Sequence, residues 1–163
     1  MYTDGSCLQN GTDNARSGGG VWIADNHTLN RAIRVPGHAQ SNQVSKLAAV
    51  VIALQTTPRN ADLTNVTDSQ YVINCLTNTL PQWKDSGWPR VPNTSWIKAA
   101  AYAMQRRSAP TKFRWVKGHN SDRGNERADA LAAEGAAKLT PDEIDISVPL
   151  LSEPGGMKLN KLT

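Results

Sequence analysis

The sequence predicts one domain of mixed α/β class, and three observations carry that reading. The chain has 163 residues, 39% of them hydrophobic, enough for one substantial core and too few for two comfortable ones. Residues up to Val35 read as three successive strands with short links, as in an antiparallel meander. After Ser41, helical repeats alternate with short strands, which implies parallel pairing in the rest of the sheet.

Met1-Tyr2-Thr3-Asp4 reads as the end of a strand that begins close to the start of the chain, and Gly5 to Ser17 as a polar loop. Gly18 to Ala24 predicts a second strand, with glycines at its start that permit close backbone approach. Asp25-Asn26-His27 marks a turn, and Thr28 to Val35 a third strand closed by Pro36-Gly37. Ser41-Asn42-Gln43 opens a helix in which Val44, Leu47, Ala48, Val51 and Ile52 recur at helical spacing. Pro58-Arg59-Asn60 stops it. Leu63 to Thr67 predicts a short strand ending at Asp68, and Ser69 to Leu76 a helix. Residues 77–93 hold Pro81, Trp83, Trp88, Pro89 and Pro92 and read as an irregular connection. Thr94 to Arg107 predicts a helix capped by Asn93 or Thr94, and Phe113 to Lys117 the last strand. Asn125 to Lys138 predicts the last helix, with Gly124 or Asn125 as its cap.

Residues 139–163 change character, with Asp142, Glu143, Asp145 and Glu153 among Pro141, Pro149 and Pro154-Gly155-Gly156. They read as an extended tail or linker, although the alternation of Ile144, Ile146, Val148 and Leu150 also suits an edge strand. The domain is therefore expected over residues 1–138 and the tail over 139–163. No apolar run is long enough to cross a bilayer, and no signal-peptide pattern opens the chain. Cys7 and Cys75 make neither a disulfide framework nor a zinc spacing, so free thiols and an intracellular setting are expected.

Net charge is +4, but ten of the eighteen Lys and Arg lie between Lys84 and Arg127, against only Asp85, Asp122 and Glu126. Such a segment suits phosphate, and the tryptophans within it tilt the expectation towards nucleic acid.

Three motifs carry the chemistry. Thr3-Asp4-Gly5-Ser6 and Val66-Thr67-Asp68-Ser69 each set an aspartate at the end of a predicted strand. The stretch Trp115-Val116-Lys117-Gly118-His119-Asn120-Ser121-Asp122-Arg123-Gly124-Asn125-Glu126-Arg127-Ala128-Asp129 runs from a strand through a polar loop into a helix. In that order, over roughly residues 1–138, these motifs resemble the ribonuclease H family. The resemblance implies a five-stranded mixed sheet, three strands antiparallel and the rest parallel, flanked by helices. It implies endonucleolytic cleavage of the RNA strand of an RNA–DNA hybrid with two divalent ions, Mg²⁺ or alternatively Mn²⁺. Two such ions about 4 Å apart activate a water and stabilise the leaving oxygen, and they need clustered carboxylates. The family's catalytic, metal-binding aspartates correspond to Asp4, Asp68 and Asp129. His119 corresponds to its loop histidine, an aid to proton transfer or product release. Glu126 is either a further nearby carboxylate or a simple first-turn helix charge.

One position departs from the family pattern. Its fourth carboxylate is a glutamate four residues after the asparagine of an Asn-Gln pair. Asn42-Gln43 is present, but the fourth residue after Asn42 is Lys46, and no acid lies between Asp25 and Asp62 to replace it. Three carboxylates and an ammonium sum to −2, where four carboxylates would give −4. At 4 Å, one unit pair is worth about 4 kcal/mol at an effective dielectric of 20, so the ammonium competes with metal. Weak single-ion occupancy and reduced cleavage are expected, with a catalytically inactive hybrid-binding module as the alternative. A structural domain of a larger retroelement polyprotein is the third reading.

For the hybrid itself, Trp83-Lys84-Asp85-Ser86-Gly87-Trp88 resembles the family's basic protrusion, which holds the DNA strand. Asn42 and Gln43 are candidates for minor-groove contacts, where 2′-hydroxyls mark RNA. Ser69 and Asn14 are candidates for backbone contacts. Trp83 and Trp88 have the alternative role of packing the protrusion against its helix. The chain is expected to act as a monomer or within a larger polypeptide.

Overall fold

Strands β1 (Tyr2–Leu8), β2 (Arg16–Trp22) and β3 (Arg31–Arg34) form the expected antiparallel meander. Strands β4 (Leu63–Thr67) and β5 (Thr111–Trp115) add in parallel on the other side of β1, giving the order β3-β2-β1-β4-β5. The computed structural model describes residues 1–88 and 91–149. Helices α1 (Asn42–Thr56), α2 (Gln70–Leu76), α3 (Leu80–Ser86), α4 (Thr94–Gln105) and α5 (Arg123–Ala137) flank this sheet. The expected fold class is the one observed.

Glycines decide how closely the layers approach. A Cβ on Gly18 would lie 2.1 Å from the Ala132 carbonyl of α5, and one on Gly20 would lie 2.0 Å from that of Ala128. Gly19, on the opposite side of the same strand, meets Ala49 of α1 instead. The two helices therefore cover opposite faces, and α5 seats Ala128, Ala132 and Ala136 directly on the β2 backbone. The main core joins Val44, Leu47, Val51 and Leu54 of α1 to Val72, Trp96, Ile97 and Ala100 of α2 and α4.

Several element bounds differ from expectation, each for a physical reason. β1 continues through Gly5-Ser6-Cys7, pairing with Gly19-Gly18-Ser17. A strand of small residues reads as loop, yet small residues are required where α1 presses on Gly5. β3 is shorter than expected because Asn30 holds a turn: its Oδ1 accepts from Ile23 N and its Nδ2 donates to Ala24 O. The connection 77–93 contains α3, since Pro81 falls in its first turn, where proline is tolerated. The cap of α5 is Asp122, whose carboxylate accepts from Asn125 N at 3.0 Å, so the helix starts at Arg123 rather than Asn125.

Residues 139–149 form no regular element but lie against the domain. Asp142 bonds both ways with Arg34 of β3: its backbone N donates to Arg34 O at 2.9 Å, and its carboxylate accepts from Arg34 N at 2.7 Å. Gln55 donates to Asp145 O, and Ile144 and Ile146 pack on the core. Leu150 and the residues after it lie outside the described residues. No described helix is long and apolar enough to cross a membrane.

Candidate active site

Strand register brings the first two acids together. Tyr2 of β1 stands opposite Val66 of β4 in parallel pairing. Two residues further along each strand, and so on the same side, come Asp4 and Asp68. Asp4 therefore lies inside β1 rather than at its end, but at the end of its contact with β4. Behind the pair, Thr3 donates to buried Asn65 at 2.8 Å and ties the strands.

Two further elements frame Asp68. Val116 N donates to Thr67 O at 3.0 Å, and the Trp115 indole N–H donates to Asp68 O at 3.1 Å. A Cβ on Gly118 would stand 2.6 Å from Asp68 Oδ2, so glycine leaves room for the carboxylate. Trp115 and Gly118 thus shape the site, a role the sequence did not assign them. The parallel register of Thr67 with Trp115 is the signal that exposes it.

Lys46 enters from α1. The helix can approach because Gly5 lacks a side chain: a Cβ there would lie 2.6 Å from Lys46 N. The ammonium donates to Asp68 Oδ1 at 2.8 Å and lies 3.5 Å from Asp4 Oδ1. Burial works against this cation, but the Asp68 hydrogen bond and the charges of Asp4 and Asp68 outweigh it and hold its pKa above the ordinary value. Asp4, only 4% exposed, is pushed up to about 6, first by burial and then by the charge of Asp68. Lys46 and the Gly5 N–H pull the other way, and half-buried Asp129 adds the smallest upward push. Asp129 is delivered from α5, one residue after the Ala128 that rests on Gly20.

The structure therefore brings Asp4, Asp68 and Lys46 into contact, with Asp129 near enough to be felt. Among the described residues, no three acid, His or Cys side chains stand grouped to hold a metal ion. With its ammonium engaged by two of the acids, this donor set does not fit a pair of divalent ions.

The remaining candidates are spread around this centre. His119 is exposed, in the left-handed region at φ 54°. Asn42 and Gln43 are exposed in the first turn of α1, and Asn42 N donates to Asn10 of the β1–β2 turn, which also carries exposed Asn14. Ser69 caps α2 by accepting from Val72 N, so its hydroxyl is buried rather than displayed. Trp83 and Trp88 pack on each other, with ring centroids 6.2 Å apart, and against the core; Lys98 sits 5.3 Å from the Trp88 ring. Lys84 Nζ is buried with no hydrogen-bond partner among the described residues, and burial lowers its pKa. Glu126 is exposed on the first turn of α5. Of the basic segment, Arg107 is structural, its guanidinium bonded to Pro58 O, Ala61 O and Thr111. Lys112, Arg114 and Lys117 are exposed along edge strand β5 and just beyond it.

The sequence and the architecture are similar to those of known proteins. A sequence model of the family described as RNase H matches residues 1–137. Ribonuclease H of Schizosaccharomyces pombe is 36% identical over 143 residues, covering 85% of this chain and 53% of that protein. Ribonuclease H1 of Homo sapiens is 38% identical over 141 residues, covering 83% and 49%. The chain thus spans about half the length of these two relatives. A crystal structure of LC9-RNase H1, a type 1 RNase H with the type 2 active-site motif, superposes with a TM-score of 0.69 at 27% identity. It covers 86% of this chain and 72% of its own. With the family's model matching residues 1–137 and relatives 36% and 38% identical, the chain belongs to the ribonuclease H family.

Proposed function

We propose that this domain, residues 1–138 with the following segment laid against it, binds RNA–DNA hybrids and hydrolyses their RNA strand only weakly. One observation carries the reading: Lys46 stands 2.8 Å from Asp68 and 3.5 Å from Asp4, where the family has a fourth carboxylate. Ribonucleases H generally use divalent ions, and Asp4, Asp68 and Asp129 are the residues available to such an ion here. The ammonium holds two of them, so an ion has to displace it.

What this chain's own residues supply is a binding surface. Exposed Asn42 and Gln43 offer amide donors and acceptors to 2′-hydroxyls and base edges in a minor groove. Lys112, Arg114 and Lys117 line an edge where phosphates are neutralised. Trp83 and Trp88 stiffen the protrusion by packing, and Lys84 reaches a phosphate only by turning outward from its buried position. His119, exposed on a left-handed turn between β5 and α5, corresponds to the family's loop histidine.

The same ion pair favours a second reading, hybrid binding with no hydrolysis at all. Cleavage of a labelled hybrid in Mg²⁺ and in Mn²⁺, by the protein and by Lys46→Glu, separates them. Slow cleavage that rises sharply on substitution supports impairment; absent cleavage that appears on substitution supports the binding module. Equal, brisk cleavage by both proteins refutes any role of Lys46 in restraint.

A further inference from the structure

We propose that Lys46 is itself a phosphate-binding residue, so that this domain holds an RNA–DNA hybrid without divalent metal. The inference rests on the hybrid-binding reading above. A lysine ammonium has three N–H donors. One donates to Asp68 Oδ1 at 2.8 Å and a second faces Asp4 Oδ1 at 3.5 Å. The third has no acceptor among the described residues, and the side chain keeps 24% of its surface exposed.

Position on α1 adds to this. Asn42 and Gln43 precede Lys46 by four and three residues, so all three share one helical stripe. Both amides are exposed, and the stripe runs from the Asn10–Asn42 contact to the acids. A nucleic-acid strand laid along it meets two neutral hydrogen-bonding groups and then a cation. Four carboxylates at this place would repel a phosphodiester until metal arrived. Here the acids hold the ammonium in place, and it presents its remaining donor to the incoming anion. The aspartates thereby act as the support of a fixed cation. The contact is a charge-assisted hydrogen bond from the ammonium to a phosphate oxygen, so it carries both direction and charge.

The test is a binding titration by fluorescence anisotropy with a labelled RNA–DNA hybrid and a DNA duplex of the same sequence. It is run in chelator and in Mg²⁺ over a range of salt, on the protein and on Lys46→Gln, Lys46→Arg and Lys46→Glu. Hybrid affinity of the protein is expected to be the same in chelator as in Mg²⁺. Lys46→Gln is expected to lose roughly tenfold or more in chelator, and about one unit of salt slope. Lys46→Arg, which keeps a cation and its donors, retains metal-independent binding, and a cooperative melting curve of Lys46→Gln shows that its loss is not unfolding. Lys46→Glu binds only when Mg²⁺ is supplied. A requirement for Mg²⁺ by the unsubstituted protein overturns the proposal. So does a Lys46→Gln variant that binds in chelator with unchanged affinity and slope, or equal loss in the Gln and Arg variants. Equal affinity for hybrid and DNA duplex would instead sink hybrid recognition, while the salt slopes still report on the Lys46 contact.

Discussion

Two lysine–aspartate pairs of nearly equal length do different things. Lys46–Asp68 spans 2.8 Å with side chains 24% and 10% exposed; Lys138–Asp142 spans 2.7 Å with 38% and 37%. The first pair has a second aspartate within 3.5 Å of the ammonium and a third farther off. The second pair has backbone for company: Lys138 also donates to Ala32 O, and Asp142 also accepts from Arg34 N. Contact distance alone would rank them equal. Their surroundings make the first a question of charge, whose removal strands buried acids, and the second a clasp whose value lies in the chain it fastens.

Breaking the first pair gives the largest effect. Lys46→Glu is expected to raise hybrid cleavage in Mg²⁺ by roughly a hundredfold, the scale on which single electrostatic groups act in active sites. Without metal the same variant gathers four acids, so its melting temperature should fall in chelator and recover with Mg²⁺. A melting temperature indifferent to Mg²⁺ would show that the acids do not converge on an ion.

The next test sharpens the charge side of the comparison. Asp4 has its folded pKa raised from 3.8 to about 6. A carboxyl raised on folding contributes stability that is complete below pH 3.8 and is lost as pH rises through about 6. Asp4→Asn should flatten the stability profile in that window, by at most about 3 kcal/mol. Chemical denaturation of both proteins between those limits measures it, and parallel profiles would contradict the assignment.

Between the pairs lies the seat of α5 itself. A methyl at Gly18 collides with the helix backbone at 2.1 and 2.2 Å, so Gly18→Ala must lift the helix that carries Asp129 near its middle and leads to Lys138. A loss of about 1–3 kcal/mol is expected, read as a lower denaturation midpoint. Asp142→Ala, which opens the clasp, should cost only about 1 kcal/mol, because half-exposed pairs are screened and what is lost is chiefly the bond from Arg34 N.

The comparison also shows what a sequence discloses. Asp4, Asp68 and Lys46 were legible because each sits in a motif whose spacing survives without coordinates. The Lys46 position followed from helical register: Val44, Leu47 and Ala48 face inward and leave residue 46 at the rim. Trp115 and Gly118 were not legible as parts of the site, since their roles are fixed by a parallel register between distant strands. Lys84 was read as a displayed charge, while its buried Nζ depends on how α3 lies on the core, which local pattern does not encode. The continuation of β1 was hidden because glycine and serine favour turns locally, and only the helix packed above them demands a strand. The clasp at Asp142 was invisible for the same reason, its partner Arg34 lying 108 residues away.

That clasp has an outcome for how molecules of this protein meet one another. β3 is the outermost strand on its side of the sheet, and such a border, left bare, is a template for pairing with a neighbouring chain. Asp142 takes up both main-chain groups of Arg34, so the border is already spoken for at that residue. Shortening the chain to Lys138 would uncover it and make the shortened protein prone to stick to its own copies, most visibly when it is concentrated.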